Sequence, residues 1–400
     1  MLHVAAYVHQ FDPFAIRFSG DFGIRWYGLA YLAGFVVAYL LMRFLAARRL
    51  ILLSPWQVAD LMLAAIVGTL LGGRLGYVLF YDPHLFVDFT SDFPFWGVVA
   101  INRGGMASHG GMIGVILGTL WFCRRTDINP LHGLDLVALM TPPGMLFGRL
   151  ANFVNGELLG VPAKEGFPLA VKFPQEITDG PGSWWIEEMA PLSPLASHLG
   201  LSEREYTQTI QLAAEQQTEA IQALIAIRDR LVEQVQAGTP EVLRMVEPLL
   251  TARHPSQLYQ AVAEGLVLGA TLLILFAIFR PRGVRALDAP AASAARDEHK
   301  HEHDPLLRAR TWSGPGRPGF VGAAFLITYG LLRVITEVWR LPDEGVDRVF
   351  GLSRGQLLSA LMVVAGIVAL MVVAAIQRRR RPSPGWSRED KAGGAGDQAR

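Results

Sequence analysis

GQLLSALMVVAGIVALMVVAAI, residues 355–376, contains no charged side chain. As a helix it reaches about 33 Å, enough to cross the ~30 Å hydrocarbon layer of a bilayer. Upstream of it stand six more apolar segments of similar length, at 319–338, 257–279, 134–153, 106–123, 58–81 and 27–45. Two of them, 106–123 and 134–153, hold Gly110, Gly111, Gly114 and Pro142, Pro143, Gly144. Such residues suit close helix contact or a broken helix lining a cavity. Composition agrees: 51% of the 400 residues are hydrophobic and 18% charged, against roughly 25% charged in soluble domains. The reading is an all-α polytopic membrane protein with about seven transmembrane helices. Collagen-like, disordered and disulfide-rich secreted chains are excluded. Cys123 is the single cysteine, so no intramolecular disulfide forms, and it reads as a small packing residue. The first 25 residues contain Asp12, Asp21 and Arg25 and no basic start with an apolar core. The first apolar run is therefore expected to remain as a span, uncleaved.

Basic residues set the expected orientation. Arg48 and Arg49, Arg124 and Arg125, Arg280, Arg282 and Arg285, and Arg378 to Arg381 fall in alternate connections. These belong on the cytoplasmic side. The intervening connections hold Asp82, Asp88 and Asp92, then Asp343, Glu344 and Asp347. The N-terminus is then outside and the C-terminus cytoplasmic.

The chain divides accordingly. Residues 1–172 form an N-terminal transmembrane region with spans one to four, and 173–252 a helical external insert. Residues 253–280 carry span five, 281–318 a disordered cytoplasmic linker, 319–376 spans six and seven, and 377–400 a basic disordered tail. In the insert, Ser202-x-x-Glu205 reads as a capping box. Ile210, Ala213, Ala214, Ile221, Leu224, Ile225, Leu231, Val232 and Val235 then recur at helical spacing, and Thr239-Pro240 starts a second, shorter helix. A hairpin packing on itself is the plainer reading; a substrate-binding cap is the other. Trp184 and Trp185 are candidates for the membrane interface. The linker's His299, His301 and His303 read as a solvated polar run. No repeat, metal cluster, nucleotide motif or nucleic-acid pattern is found, so neither a cofactor nor a nucleic-acid partner is expected.

With this topology, several ionisable residues share one depth, in the outer leaflet: Arg74, His109, Arg149, Glu264, Arg333 and Glu337, with Tyr27 at the same level. A charge at a span centre costs about 2.5–3.5 kcal/mol, and less toward the interface. Arg333 and Glu337, spaced i,i+4, gain only about 0.2–0.5 kcal/mol on an exposed helix. A polar cavity holding an anionic ligand accounts for the set better, because the planar arginine fork suits phosphate. A lipid enzyme, a transporter and a scaffold all remain open from the residues alone. Transport favours midplane charges and repeated halves, neither of which is present.

The densest motif is Gly148-Arg-Leu-Ala-Asn-Phe-Val-Asn-Gly-Glu-Leu-Leu-Gly160. It accompanies Trp26-Tyr27-Gly28, Gly72-Gly73-Arg74-Leu75-Gly76-Tyr77, His109 flanked by glycines, Arg253-His-Pro-Ser-Gln-Leu-Tyr259, and Arg333 with Glu337. Together these resemble the prolipoprotein diacylglyceryl transferases, bacterial membrane enzymes. The resemblance covers most of the chain. The departures are the ~80-residue insert, where a short link is expected from the family, and the long linker.

The resemblance implies the first step of bacterial lipoprotein maturation. The diacylglyceryl group of phosphatidylglycerol passes to the lipobox cysteine of a prolipoprotein signal peptide, a thioether forms and glycerol phosphate leaves. It places the protein, among membrane lipids, in the bacterial cytoplasmic (inner) membrane with its site facing the outer leaflet. Displacement at an sp3 carbon needs a thiolate and a stabilised phosphate. His109 is the candidate base or a hydrogen-bonding positioner. Arg149 and Arg333 are candidates for the phosphate and the developing charge, with Glu337 orienting Arg333. Tyr27, Asn152 and Glu157 are expected to position headgroup or peptide, and Gly160 to permit close approach. Arg74 ranks lower, as a structural or electrostatic contributor to substrate binding.

Overall fold

The chain's structure is a computed structural model described for residues 6–19, 22–91, 93–101, 104–178, 184–280, 317–342 and 352–379. The linker with its histidine tract, the acidic 343–347 stretch and the tail beyond 379 lie outside the described residues. Helices dominate: α1 (Trp26–Ala47), α2 (Pro55–Phe80), α3 (Ser108–Arg125), α4 (Pro130–Asn155), α5 (Ile186–Met189), α6 (Glu203–Ala214), α7 (Thr218–Gln236) and α8 (Pro240–Val246). After them come α9 (Ser256–Phe279), α10 (Phe320–Thr336) and α11 (Arg354–Arg379). The expectation of an all-α chain needs correction. Strands β1 (Tyr7–Val8), β4 (Val171–Lys172) and β5 (Ala252–Arg253) form one sheet, and β2 (Phe14–Ser19) and β3 (Phe22–Arg25) an antiparallel hairpin. β1, β4 and β5, two residues each, are too short to carry a hydrophobic period, whereas the hairpin alternates Phe14, Ile16, Phe18 and Phe22, Ile24, a strand signal that the helix-based reading passed over.

Among the described residues, five helices are long and apolar enough to cross a membrane: α1, α2, α9, α10 with its continuation to Trp339, and α11. The other two segments read as spans also fold as long helices, α3 and α4. Glycines dilute the hydropathy of α3, and His132, Asp135, Pro142 and Pro143 that of α4. Start signals are local. Ser54 and Gln57 form a reciprocal capping box for α2 with Pro55 in its first turn, and Asn129 caps α4. Gly156, at φ +70°, ends α4 in the left-handed conformation that a side chain resists.

The glycines of α3 serve packing. Gly110, Gly114 and Gly118 lie against Gly68, Gly72 and Ala64 of α2 so closely that a Cβ on them would meet backbone. Elsewhere in the bundle Met42, Leu45, Leu61, Phe122, Leu136, Leu272 and Phe276 form a shared apolar core. Leu32, Leu40, Leu361, Val364 and Met371 stay exposed on its outside.

The insert has a core of its own, from Ile177 to Leu250. Ser202 and Glu205 make the expected capping box, with backbone bonds of 3.2 and 2.8 Å, and the Ser202 N–H and hydroxyl, donating to the exposed Glu205 carboxylate at 2.8 and 2.7 Å, hold it below its ordinary pKa. Two expectations fail here. The run from Ile210 to Val235 is not one helix: it breaks at 215–217, where Gln216 takes φ +63°, so Pro240 opens a later helix than the second. The apolar spacing continues across the break because α6 and α7 face the same core. Trp184 is buried in that core, and its carbonyl accepts from Arg228 at 2.8 Å. Insert and bundle meet at the β1–β4–β5 sheet, where the buried Glu176–Arg253 pair closes at 2.8 Å.

Candidate functional site

Four charged side chains from three helices converge inside the bundle. Glu264 of α9 is fully buried, and its two carboxylate oxygens bridge two arginines. One receives Arg149 Nε of α4 at 3.0 Å; the other receives Arg333 Nη1 of α10 at 3.2 Å. Arg333 Nη2 reaches Glu337 at 3.0 Å, one turn further along its own helix. Arg340 approaches the same carboxylate at 3.7 Å, and Ser353 donates to it at 3.5 Å. Glu264 sits within a π-helical turn, Ala261–Val267, a widening that α-helices adopt mostly at functional sites. Gly265 in that turn lets the Leu146 side chain of α4 pack directly on the backbone.

The cluster is balanced in charge, but its arginines are not equivalent. Arg333 is held by two carboxylates. Arg149 is held by Nε alone, and its terminal nitrogens make no hydrogen bond to a described residue. A fork anchored at its base with its prongs available can take phosphate bidentately.

A second polar group stands at the end of α4. Asn152 Nδ2 donates to the Tyr27 hydroxyl of α1 at 2.7 Å and to Glu157 at 3.1 Å. Asn155 donates to the other Glu157 oxygen at 3.2 Å. The exposed Glu157 thereby gathers two amides that the sequence spaces one turn apart. The Gln257 amide of α9 donates to the Glu157 carbonyl, which ties this group to the helix carrying Glu264.

The remaining expected residues stand apart. Arg74 is buried, and four of its five N–H donors go to backbone carbonyls: one at Val98, one at Gly97, and one each at Gly104 and Gly105. It thus holds the loop that leads into α3, helped by Ala107 N donating to Gly73 O at 2.9 Å. His109 follows on the exposed first turn of α3 and makes no hydrogen bond or ion pair with the other candidates. Gly160 is buried where three segments cross: a Cβ there would strike the His254 carbonyl, with Trp339 O next at 3.0 Å. Among the described residues, no group of three or more His, Cys, Asp or Glu side chains is arranged to hold a metal ion.

Two residues that matter most in this geometry received no role from the sequence. Glu264 was visible as an isolated carboxylate in an otherwise apolar helix. Gln257 stood within the Arg253–Tyr259 motif but was given no role of its own.

An apolar exterior over a core of paired ions, with a polar group at the helix ends, is consistent with a polytopic membrane protein. A family model for prolipoprotein diacylglyceryl transferase matches residues 13–288 and 306–372, and the chain belongs to that family. The phosphatidylglycerol–prolipoprotein diacylglyceryl transferase of Bdellovibrio bacteriovorus is 41% identical over 387 residues, 95% of this chain and 97% of that protein. The enzymes of the same name from Acidiphilium cryptum and Rhodospirillum rubrum are 31% and 32% identical over 381 and 373 residues, 95% and 93% of this chain.

Proposed function

We propose that the chain transfers the diacylglyceryl group of phosphatidylglycerol to the lipobox cysteine of prolipoproteins, the reaction for which its relatives are named. Seven spans carry it across the bacterial cytoplasmic membrane, with the N-terminus outside, the C-terminus inside and the site open to the outer leaflet. The observation that carries this reading is the Arg149–Glu264–Arg333–Glu337 cluster, an anion-competent fork on a rigid ionic base.

In the step itself the cysteine S–H gives up its proton, sulfur bonds to the glyceryl carbon, and the carbon–oxygen bond to phosphate breaks. The electron pair leaves on glycerol phosphate. A free thiol, with pKa about 8.5, is only a few per cent ionised near neutrality, so a base or a positive field is needed. His109 has the accessibility a base requires, at the mouth of α3. Arg149 takes the phosphate through its terminal nitrogens and stabilises the leaving charge. Glu264 holds Arg149 and Arg333 in register, and Glu337 fixes Arg333. Tyr27, Asn152 and Glu157 receive the headgroup or the peptide backbone. Arg74 acts on His109 through the loop it holds, and Gly160 keeps the insert's return strand against α10.

The test uses purified protein, phosphatidylglycerol and a synthetic lipobox peptide, followed by mass spectrometry. One diacylglyceryl added to the cysteine, with matching glycerol phosphate release, is the expected result. An unmodified peptide beside an active control enzyme overturns the reading. His109→Gln with near-normal turnover removes the base assignment alone.

A further inference from the structure

Helix α9 carries a polar stripe that the ionic cluster and the Glu157 group do not use up. Gln257, Gln260 and Glu264 succeed one another at i, i+3 and i+7, all three fully buried. Gln257 reaches Glu157 O with its amide nitrogen, but its Oε1 has no hydrogen-bond partner among the described residues. Gln260 has none for either amide atom. A buried polar group without a partner costs about 1–3 kcal/mol, and native interiors rarely tolerate one. An apolar side chain of the same size at 260 would fold at least as well, so the amide answers to something besides the protein. Its place is informative: one turn before Glu264, which holds the arginine fork, and one turn after Gln257, which holds the Glu157 turn.

We propose that Gln260 binds the glycerol hydroxyls of the phospholipid headgroup while Arg149 holds the adjoining phosphate. The inference rests on the reaction proposed above and names a further specificity residue for it. A carboxamide offers a donor and an acceptor side by side, which matches a hydroxyl that does both. A site built to hydrogen-bond such a group rejects analogues without it, because its own buried atoms are then left unpaired.

The full-length protein is assayed with the lipobox peptide over a range of phosphatidylglycerol concentrations, alongside thermal unfolding. Gln260→Met is expected to raise KM for phosphatidylglycerol at least tenfold, with saturated kcat within threefold and Tm unchanged or higher. An unchanged KM in Gln260→Met overturns the proposal and leaves ordered water as the amide's partner. So does a fall in kcat without a change in KM. A Gln260→Met protein that cannot fold also overturns it, since an amide without a protein partner must tolerate an apolar isostere. Failure of the underlying reaction shows separately, as no peptide modification by the unaltered protein.

Discussion

The bundle and the insert arrange the same residue types in opposite senses. In the insert, Tyr206, Leu224, Leu231 and Val235 are fully buried, and Glu203, Glu219 and Asp229 lie outside. In the bundle, Leu361, Val364 and Met371 lie outside, and Arg74, Glu264, Arg333 and Glu337 are inside. Water rewards the first arrangement through apolar burial. Hydrocarbon gives no such reward between helices, so the bundle relies on close glycine contacts and on polar bonds that lipid cannot replace. One chain thus folds by two different driving forces. The small sheet at β1, β4 and β5 is where they meet.

Substitutions can test that contrast. The largest effect is expected from Glu264→Ala, which strands Arg149 in the bundle core and leaves Arg333 only Glu337. Removing one partner of a buried pair costs about 3–5 kcal/mol, so thermal unfolding in detergent should show severe destabilisation and lipidation should cease. A variant as stable as the parent would mean that the cluster is not the bundle's polar core. Next come matched leucines. Leu224→Ala in the insert should cost about 2–5 kcal/mol as a cavity mutation. Leu361→Ala on the exposed face of α11 should fall within about 0.5 kcal/mol. Equal costs would abolish the inside-out distinction.

Arg149→Ala should separate function from stability within the bundle. Loss of one charge-stabilising donor costs about 10²–10³ in rate. Peptide lipidation should fall by that factor, and a residual rate near that of the parent would remove Arg149 from the phosphate site. The smallest effect is expected at the junction. His9 is fully buried among Phe11, Phe153 and Phe173, and burial pushes its pKa down from 6.5 to about 4. The unfolded chain therefore binds the proton first as pH falls. His9's contribution is complete above pH 6.5 and is lost progressively from pH 6.5 down to about 4. His9→Phe should flatten the dependence of Tm on pH across that window. An unaltered slope would assign it to other groups.

The capping box at Ser202 and Glu205 and the helix start at Pro240 were legible because both signals are local. The break between α6 and α7 was not. Ala213 and Ala220 face one core from two helices, so the apolar period runs through the turn without a visible fault. Trp184 was misread for a related reason. An indole suits a membrane interface and a water-covered core equally well, and only the packing of α7 against it decides. In the site, Arg333 with Glu337 was readable from i,i+4 spacing, and Tyr27, Asn152 and Glu157 from their motifs. Their convergence was not, since Asn152 and Tyr27 are 125 positions apart.

By itself the sequence determined the medium and the inventory. Hydropathy states which segments leave water, and each charge kept inside such a segment is costly enough to need a purpose. Tertiary structure decided the pairing. Glu264 joins Arg149 across 115 positions and Arg333 across 69, and Arg74 turns away from that cluster to hold the carbonyls of its own loop. Which arginine finds which oxygen depends on angle and distance within a few tenths of an ångström, and no spacing along the chain encodes that once three helices have to meet.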